Sequence, residues 1–190
     1  MKKFPIILSL GVFLACAVSC GTGGDDSDTW DDYKDWREAN EAWLDEQAAI
    51  TNADGSAYYE RVAPDWNPSA YVLMHWFNDR SLTAGNLKPY STSTVDVKYY
   101  GRLYNDEPFD SSYAQTSYGD SIYRTQLSNV ITGWMIAVTQ MSVGDSVEVL
   151  IPYQQGYNAS SSGVIKPYSA LKFGIKLVDI PYLEIPNPED

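Results

Sequence analysis

Few residues in this 190-residue chain could do chemistry, and their types exclude most of the usual kinds. The one histidine, His75, lies inside the apolar run Tyr71 to Phe77 with no Cys or His companion, so it reads as structural and no metal site forms around it. Asp110-Ser111-Ser112 sets a carboxylate beside hydroxyls, but a triad is defined by geometry and its only possible histidine is distant in the chain. No phosphate-binding glycine loop or dinucleotide fingerprint occurs. What remains is a lone carboxylate, Asp110, directly after Phe109, in a chain with 15 Tyr and 6 Trp. Aromatic walls with a few fixed hydrogen bonds suit chemistry that works by excluding water rather than by a nucleophile, metal or cofactor.

Three segments organise those aromatics. One is Val95-Asp96-Val97-Lys98-Tyr99-Tyr100-Gly101, running on to Phe109-Asp110. A second runs from Val130-Ile131-Thr132-Gly133-Trp134 through Met141 to Pro152 and Tyr157, and a third from Gly163-Val164-Ile165 to Phe173. Over roughly residues 70 to 180 they resemble the FKBP-type peptidyl-prolyl isomerases. The resemblance implies an α+β fold: an antiparallel β-sheet wrapped around a short central α-helix, here with an N-terminal helical extension.

It also implies a site. Tyr99, Phe109, Asp110, Trp134 and Tyr157 would be its catalytic residues. Tyr99 and Phe109 are walls, Asp110 the carboxylate facing the bound amide, Trp134 the floor and Tyr157 a hydroxyl donor. Val130 and Ile131 would lie along the substrate, with the Ile131 N–H as a donor, and Ile165 and Phe173 would be flap and far wall. Tyr123 stands in for another wall aromatic, at a shorter spacing to Val130. The resemblance implies neither cofactor nor metal. Taken singly, each of these aromatics reads as core; their order, with Asp110 kept beside Phe109, favours a site. The chain departs from the family after Tyr157, where Asn158 replaces the usual Gly, the loop Ala159 to Ser162 is short and serine-rich, and Gln154-Gln155-Gly156 replaces a more apolar run. Those departures predict slow or selective turnover.

The elements that must position these residues follow from periodicity. Thr94 to Leu103 alternates, with Val95, Val97 and Tyr99 on one face. Tyr71 to Phe77, Asp145 to Ile151 and Leu171 to Ile180 read as further strands, and Asn105-Asp106 as a hairpin turn. Thr132 to Gln140 reads as the one short central helix. Upstream, Trp30 to Ile50 reads as a helix capped by Asp28 or Thr29, with Trp36, Ala39 and Trp43 on one face. That stripe either packs on its own domain or binds a partner or second copy. Asn52-Ala53-Asp54-Gly55 ends the helix.

Met1-Lys2-Lys3 followed by the apolar run Phe4 to Val18 has the form of a secretory signal, too short for a comfortable membrane span. It ends at Ala17-Val18-Ser19-Cys20, which looks like a bacterial lipobox with Cys20 acylated; Cys16 is the weaker candidate because Phe13 sits at its −3 position. With Cys20 acylated, no free thiol or disulfide remains in the mature chain. Acidic residues soon after Cys20 resemble the export signal of surface lipoproteins in the Bacteroidota. The formal charge of −12 argues against a nucleic-acid-binding face.

The expected organisation is a signal peptide (1–19), a lipidated acidic tether and helix (20–56), and an FKBP-like domain (57–190). The expected function is a prolyl isomerase of the cell envelope, an outer-membrane lipoprotein facing the periplasm or the surface, acting on X-Pro segments of exported proteins. The alternatives are a non-catalytic FKBP-like chaperone or peptide-binding module, and a surface lipoprotein that binds glycan or protein through exposed aromatics. The extension to about Asp54 is expected to be dispensable for folding.

Overall fold

A computed structural model describes residues 26–182. The signal peptide, the acylation of Cys20 and most of the tether expected from the sequence therefore fall outside the described residues. Two helices, α1 (Asp26–Asp32) and α2 (Lys34–Ala48), precede strands β1 (Glu60–Val62), β2 (Val72–Trp76), β3 (Thr94–Leu103), β4 (Pro108–Ser111) and β5 (Tyr123–Gln126). Helix α3 (Thr132–Val138) and strands β6 (Ser146–Ile151) and β7 (Leu171–Asp179) follow. The strands form one antiparallel sheet in the order β1-β2-β6-β7-β3-β4, with β5 also paired to β3. Strand β3 is the hub: β7 pairs with it from Asp96 to Leu103, and on its other edge β5 and β4 take successive stretches from Thr94 to Val97 and from Tyr100 to Arg102.

The alternation in the long strands sorts residues onto two faces. On one face Met74, Val97, Val149, Leu171 and Ile175 are buried against α3. A seven-residue helix is not stable alone; α3 persists because Trp134, Ile136, Ala137 and Val138 are all buried. Gly133 permits the close approach, since a Cβ there would collide with the Ile151 side chain of β6. Asp145, fully buried before β6, accepts from the Ser142 N–H, the Asn78 amide and the Thr83 hydroxyl, and so ties three loops together.

The helical extension lies on the opposite face of this sheet. Leu44 packs with Tyr59, Leu73, Leu150 and Ala170. Asn40 is 1% exposed; its Oδ1 accepts from the Ala170 N–H at 2.9 Å and its Nδ2 donates to the Trp36 carbonyl at 2.7 Å. The Trp36 indole donates to the Ser169 hydroxyl at 3.0 Å.

Three sequence readings need correction here. The helix is broken at Tyr33 (φ −105°, ψ 18°) into α1 and α2, and Asp28 and Thr29 sit inside α1 rather than capping its start. The centre of the buried face is Arg37, Asn40 and Leu44, one position round from the Trp36–Ala39–Trp43 stripe. Polar residues can occupy that centre because Asn40 is hydrogen-bonded and the Arg37 guanidinium lies 3.3 Å from the centre of the Trp30 ring; Trp36 and Trp43 flank it, edge-on to Tyr104. Strands β1, β4 and β5, of three or four residues with mostly exposed side chains, escaped the periodicity reading.

Candidate active site

The β3–β4 hairpin builds one side of a concave site. Leu103 and Glu107 close the hairpin by backbone hydrogen bonding, and Asp106 takes the left-handed conformation (φ 65°) that the tight turn needs. Pairing of Gly101 with Asp110 carries the carboxylate back beside Tyr99. The buried Ser112 hydroxyl accepts from the Tyr99 N–H at 2.9 Å, and the Ser112 N–H donates to the Tyr99 carbonyl at 3.0 Å, which fixes the two strands in register. Gly101 is required by the rings that close over it: a Cβ would lie 2.6 Å from Phe109 and 2.8 Å from Phe173.

Five rings interlock beneath. Tyr99 meets Trp134 edge-on with centroids 4.9 Å apart, Trp134 meets Phe173 at 5.3 Å, Phe173 meets Phe109 at 5.4 Å, and Tyr123 abuts Tyr99 at 5.5 Å from the other side. Each pair adds about 0.5–1.5 kcal/mol beyond area burial, so the walls are rigid before any ligand arrives. The rings and the start of α3 enclose a cavity of about 240 Å³ lined by Tyr99, Asp110, Tyr123, Asn129, Val130, Ile131, Trp134, Tyr157 and Phe173.

The polar groups at this cavity fall into two classes. The Tyr99 hydroxyl is engaged, donating to Asp110 Oδ2 at 2.7 Å, while Asp110 Oδ1 accepts from the Ser111 N–H. Burial, reinforced by the hydrogen bond to Asp110 and its charge, pushes the Tyr99 hydroxyl well above its ordinary pKa, so it stays a donor. By contrast, the Tyr157 hydroxyl and the Ile131 N–H make no hydrogen bond among the described residues. Burial, and then the charge of Asp110, raise the Tyr157 pKa as well and keep that hydroxyl protonated. The site thus offers one oriented, solvent-exposed carboxylate at the mouth and two unengaged donors, around an aromatic floor.

Eight of the ten residues expected from the sequence line this cavity. Phe109 and Ile165 do not. Phe109 stands behind Phe173 as a half-buried buttress, and Ile165 is 4% exposed within the core cluster rather than on an open flap. Asn129 is an addition; it ends a short 3-10 turn, Leu127–Asn129, that delivers Val130 and Ile131 to the rim, and no sequence motif singled it out.

Residues 85–178 match the FKBP-type peptidyl-prolyl cis-trans isomerase family. The chain belongs to that family. It is 34% identical over 115 residues to the peptidyl-prolyl cis-trans isomerase Mip of Coxiella burnetii, covering 60% of this chain and 48% of that one. It is 31% identical over 149 residues to the outer membrane protein MIP of Legionella longbeachae, covering 77% and 61%. Among solved structures, a peptidyl-prolyl cis-trans isomerase from Pseudomonas syringae superposes with a TM-score of 0.60 at 25% identity, covering 84% of this chain and 98% of that one. The chain spans about half the length of the first curated relatives it matches. The sheet around a short helix is the fold of the family, and the family departure at Asn158 is sterically accommodated. Asn158 adopts φ 56°, a left-handed conformation that Asn tolerates better than most residues.

Proposed function

We propose that this protein is a peptidyl-prolyl cis-trans isomerase that assists the folding of exported proteins in the cell envelope. The observation that carries the reading is the Tyr99–Asp110 hydrogen bond, which holds a carboxylate at the mouth of an aromatic cavity floored by Trp134. Rotation of an X-Pro amide is opposed by resonance, with a barrier of about 18–20 kcal/mol. Water stabilises the planar, dipolar ground state, so a dry cavity favours the less dipolar twisted amide. In this reading the proline ring rests on Trp134 between Tyr99 and Phe173. The Ile131 N–H and the Tyr157 hydroxyl donate to substrate carbonyls, and Asp110 faces the rotating amide. Each tenfold of acceleration requires about 1.4 kcal/mol of preferential stabilisation of the twisted form.

The relatives named for Mip support an envelope setting, and the lipobox at Ala17 to Cys20 supports an outer-membrane lipoprotein. Replacing Cys20 with Ala is expected to move the protein from the membrane fraction to the soluble one; retention in the membrane would remove the anchor from this reading. The isomerase is tested on the full chain with an X-Pro peptide in a protease-free assay. Asp110→Ala and Phe109→Ala should each lose activity while unfolding remains cooperative. A well-folded chain with neither turnover nor binding of a proline peptide would refute the reading.

A further inference from the structure

A second concavity, about 710 Å³, lies between α1 and the loops around Tyr157. We infer that this groove is a subsite for the polypeptide flanking the X-Pro bond, selecting an aromatic residue next to a basic one. The inference rests on the isomerase reading of the neighbouring cavity. Trp30, Tyr153 and Tyr168 supply the apolar surface, and Asp31, Asn158 and Ser160 the polar edge.

Three observations support an occupant. Trp30 is 41% exposed, yet its ring is fixed: the Arg37 guanidinium sits 3.3 Å from the ring centre and donates to the Trp30 carbonyl at 2.9 Å, and Tyr168 meets the ring edge-on at 5.2 Å. An exposed indole immobilised in this way has lost its side-chain entropy before binding, which makes it a preorganised stacking surface. Next, one loop borders both the groove and the cavity. Tyr157 lines one and Asn158 the other, and the left-handed Asn158 sends the consecutive side chains apart. The Asn158 N–H donates to the Tyr153 carbonyl and the Asn158 carbonyl accepts from the Tyr168 N–H, so the groove floor and the loop bearing Tyr157 are one hydrogen-bonded unit. The inferred path of a bound chain therefore crosses this loop, from Tyr157 on the cavity side to Asn158 on the groove side. Finally, among the described residues Asp31 is the one charged residue lining it, and the exposed Asp32 and Asp35 nearby in sequence outnumber the exposed Lys34, which matches a cationic occupant.

The test compares isomerisation, by the full chain, of a short X-Pro peptide with that of longer peptides carrying Trp-Arg at increasing spacings on either side of the proline. At one spacing the longer peptide should have the higher kcat/KM, through a lower KM. The long-to-short ratio should then fall roughly three- to tenfold in Trp30→Ala, the range one aromatic pair is worth. Ser160→Trp fills the groove without removing a packed side chain and should lower the ratio likewise, which covers the case that Trp30→Ala misfolds. Ratios that match those of the unmutated chain in both variants overturn the subsite. If the unmutated chain isomerises neither peptide, the cavity reading fails by itself and calorimetry judges the groove. Binding of the longer peptide that is lost in Ser160→Trp upholds the subsite, and no binding overturns it. Binding of a linear oligosaccharide that Trp30→Ala abolishes, with no peptide binding, also overturns it.

Discussion

Asn40→Ala tests whether the N-terminal helix is an appendage or part of the folded unit. The side chain is 1% exposed, and Ala170, whose N–H it accepts, is fully buried. Truncation to Ala leaves that N–H unpaired away from water, which costs about 1–3 kcal/mol. The better helix propensity of Ala returns at most about 0.7 kcal/mol. The net loss, about 1–2 kcal/mol, is a sizeable share of a typical stability of roughly 5–15 kcal/mol, and for a chain of this length it corresponds to a fall in Tm of roughly 2–8 °C. The assay is urea and thermal unfolding of the full chain. Glu38→Ala, exposed and paired only with Lys34, is the control and should stay within about 0.5 kcal/mol. A chain beginning at Ser56 should be less stable still, because Leu73, Leu150 and Tyr59 would lose Leu44. That outcome is the opposite of the dispensability expected from composition alone. An Asn40→Ala protein with an unchanged unfolding midpoint and slope would refute the argument and return the helix to the status of an appendage.

Three further outcomes are expected. Tyr157→Phe should lower kcat/KM by roughly two- to tenfold through loss of one donor worth about 0.5–1.5 kcal/mol, without changing the unfolding midpoint; because burial raises the Tyr157 pKa, the unmutated activity should show no alkaline fall below a pH of about 10. Gly101→Ala should cost about 1–3 kcal/mol of stability and distort the aromatic wall, since its Cβ would meet both Phe109 and Phe173; wild-type unfolding and activity would count against the ring packing described. At Asp145, burial pushes the carboxyl up, but hydrogen bonds from Thr83, Ser142 and Asn78, with Arg80 nearby, outweigh it and leave the folded-state pKa below the usual value. Its stabilisation is therefore present above a pH of about 4 and lost as pH falls through the depressed folded pKa; Asp145→Asn should be less stable at neutral pH and show a flatter acid limb.

The long elements were legible in the sequence because their alternation is strict: Val95, Val97 and Tyr99 point one way and are buried, as do Val147, Val149 and Ile151. Much of the lining of the candidate cavity was legible through motif order, since Tyr99, Asp110, Val130-Ile131, Trp134 and Phe173 all reach it. The strands β1, β4 and β5 were not, because edge strands this short bury too little to leave a period. Nor was the buried face of α2, where Arg37 and Asn40 occupy the centre of the contact and only tertiary partners make that possible. Phe109 and Ile165 illustrate a finer limit. Motif order carries a residue to the neighbourhood of the pocket, but which of two packed rings presents its face to the cavity depends on packing that no spacing encodes.

The candidate cavity and the N-terminal helix are joined through one chain segment, Tyr168 to Phe173. The Phe173 ring faces the cavity, whereas Ala170 faces α2 and gives its N–H to Asn40. Ser169 receives the Trp36 indole, and Tyr168, in a left-handed conformation, receives the edge of Trp30 while its N–H holds the Asn158 carbonyl. One short segment thus meets the N-terminal helices through Tyr168, Ser169 and Ala170 and supplies the far wall of the cavity through Phe173. Loosening α2 should therefore be felt at Phe173 and at the Tyr157 loop through shared backbone. The mechanical consequence is that Asn40→Ala, distant from the cavity, should lower isomerisation at temperatures where the chain is still folded, while a surface change such as Glu38→Ala should not. Equal activity of the two variants across that temperature range would show that the sheet insulates the site from the helix.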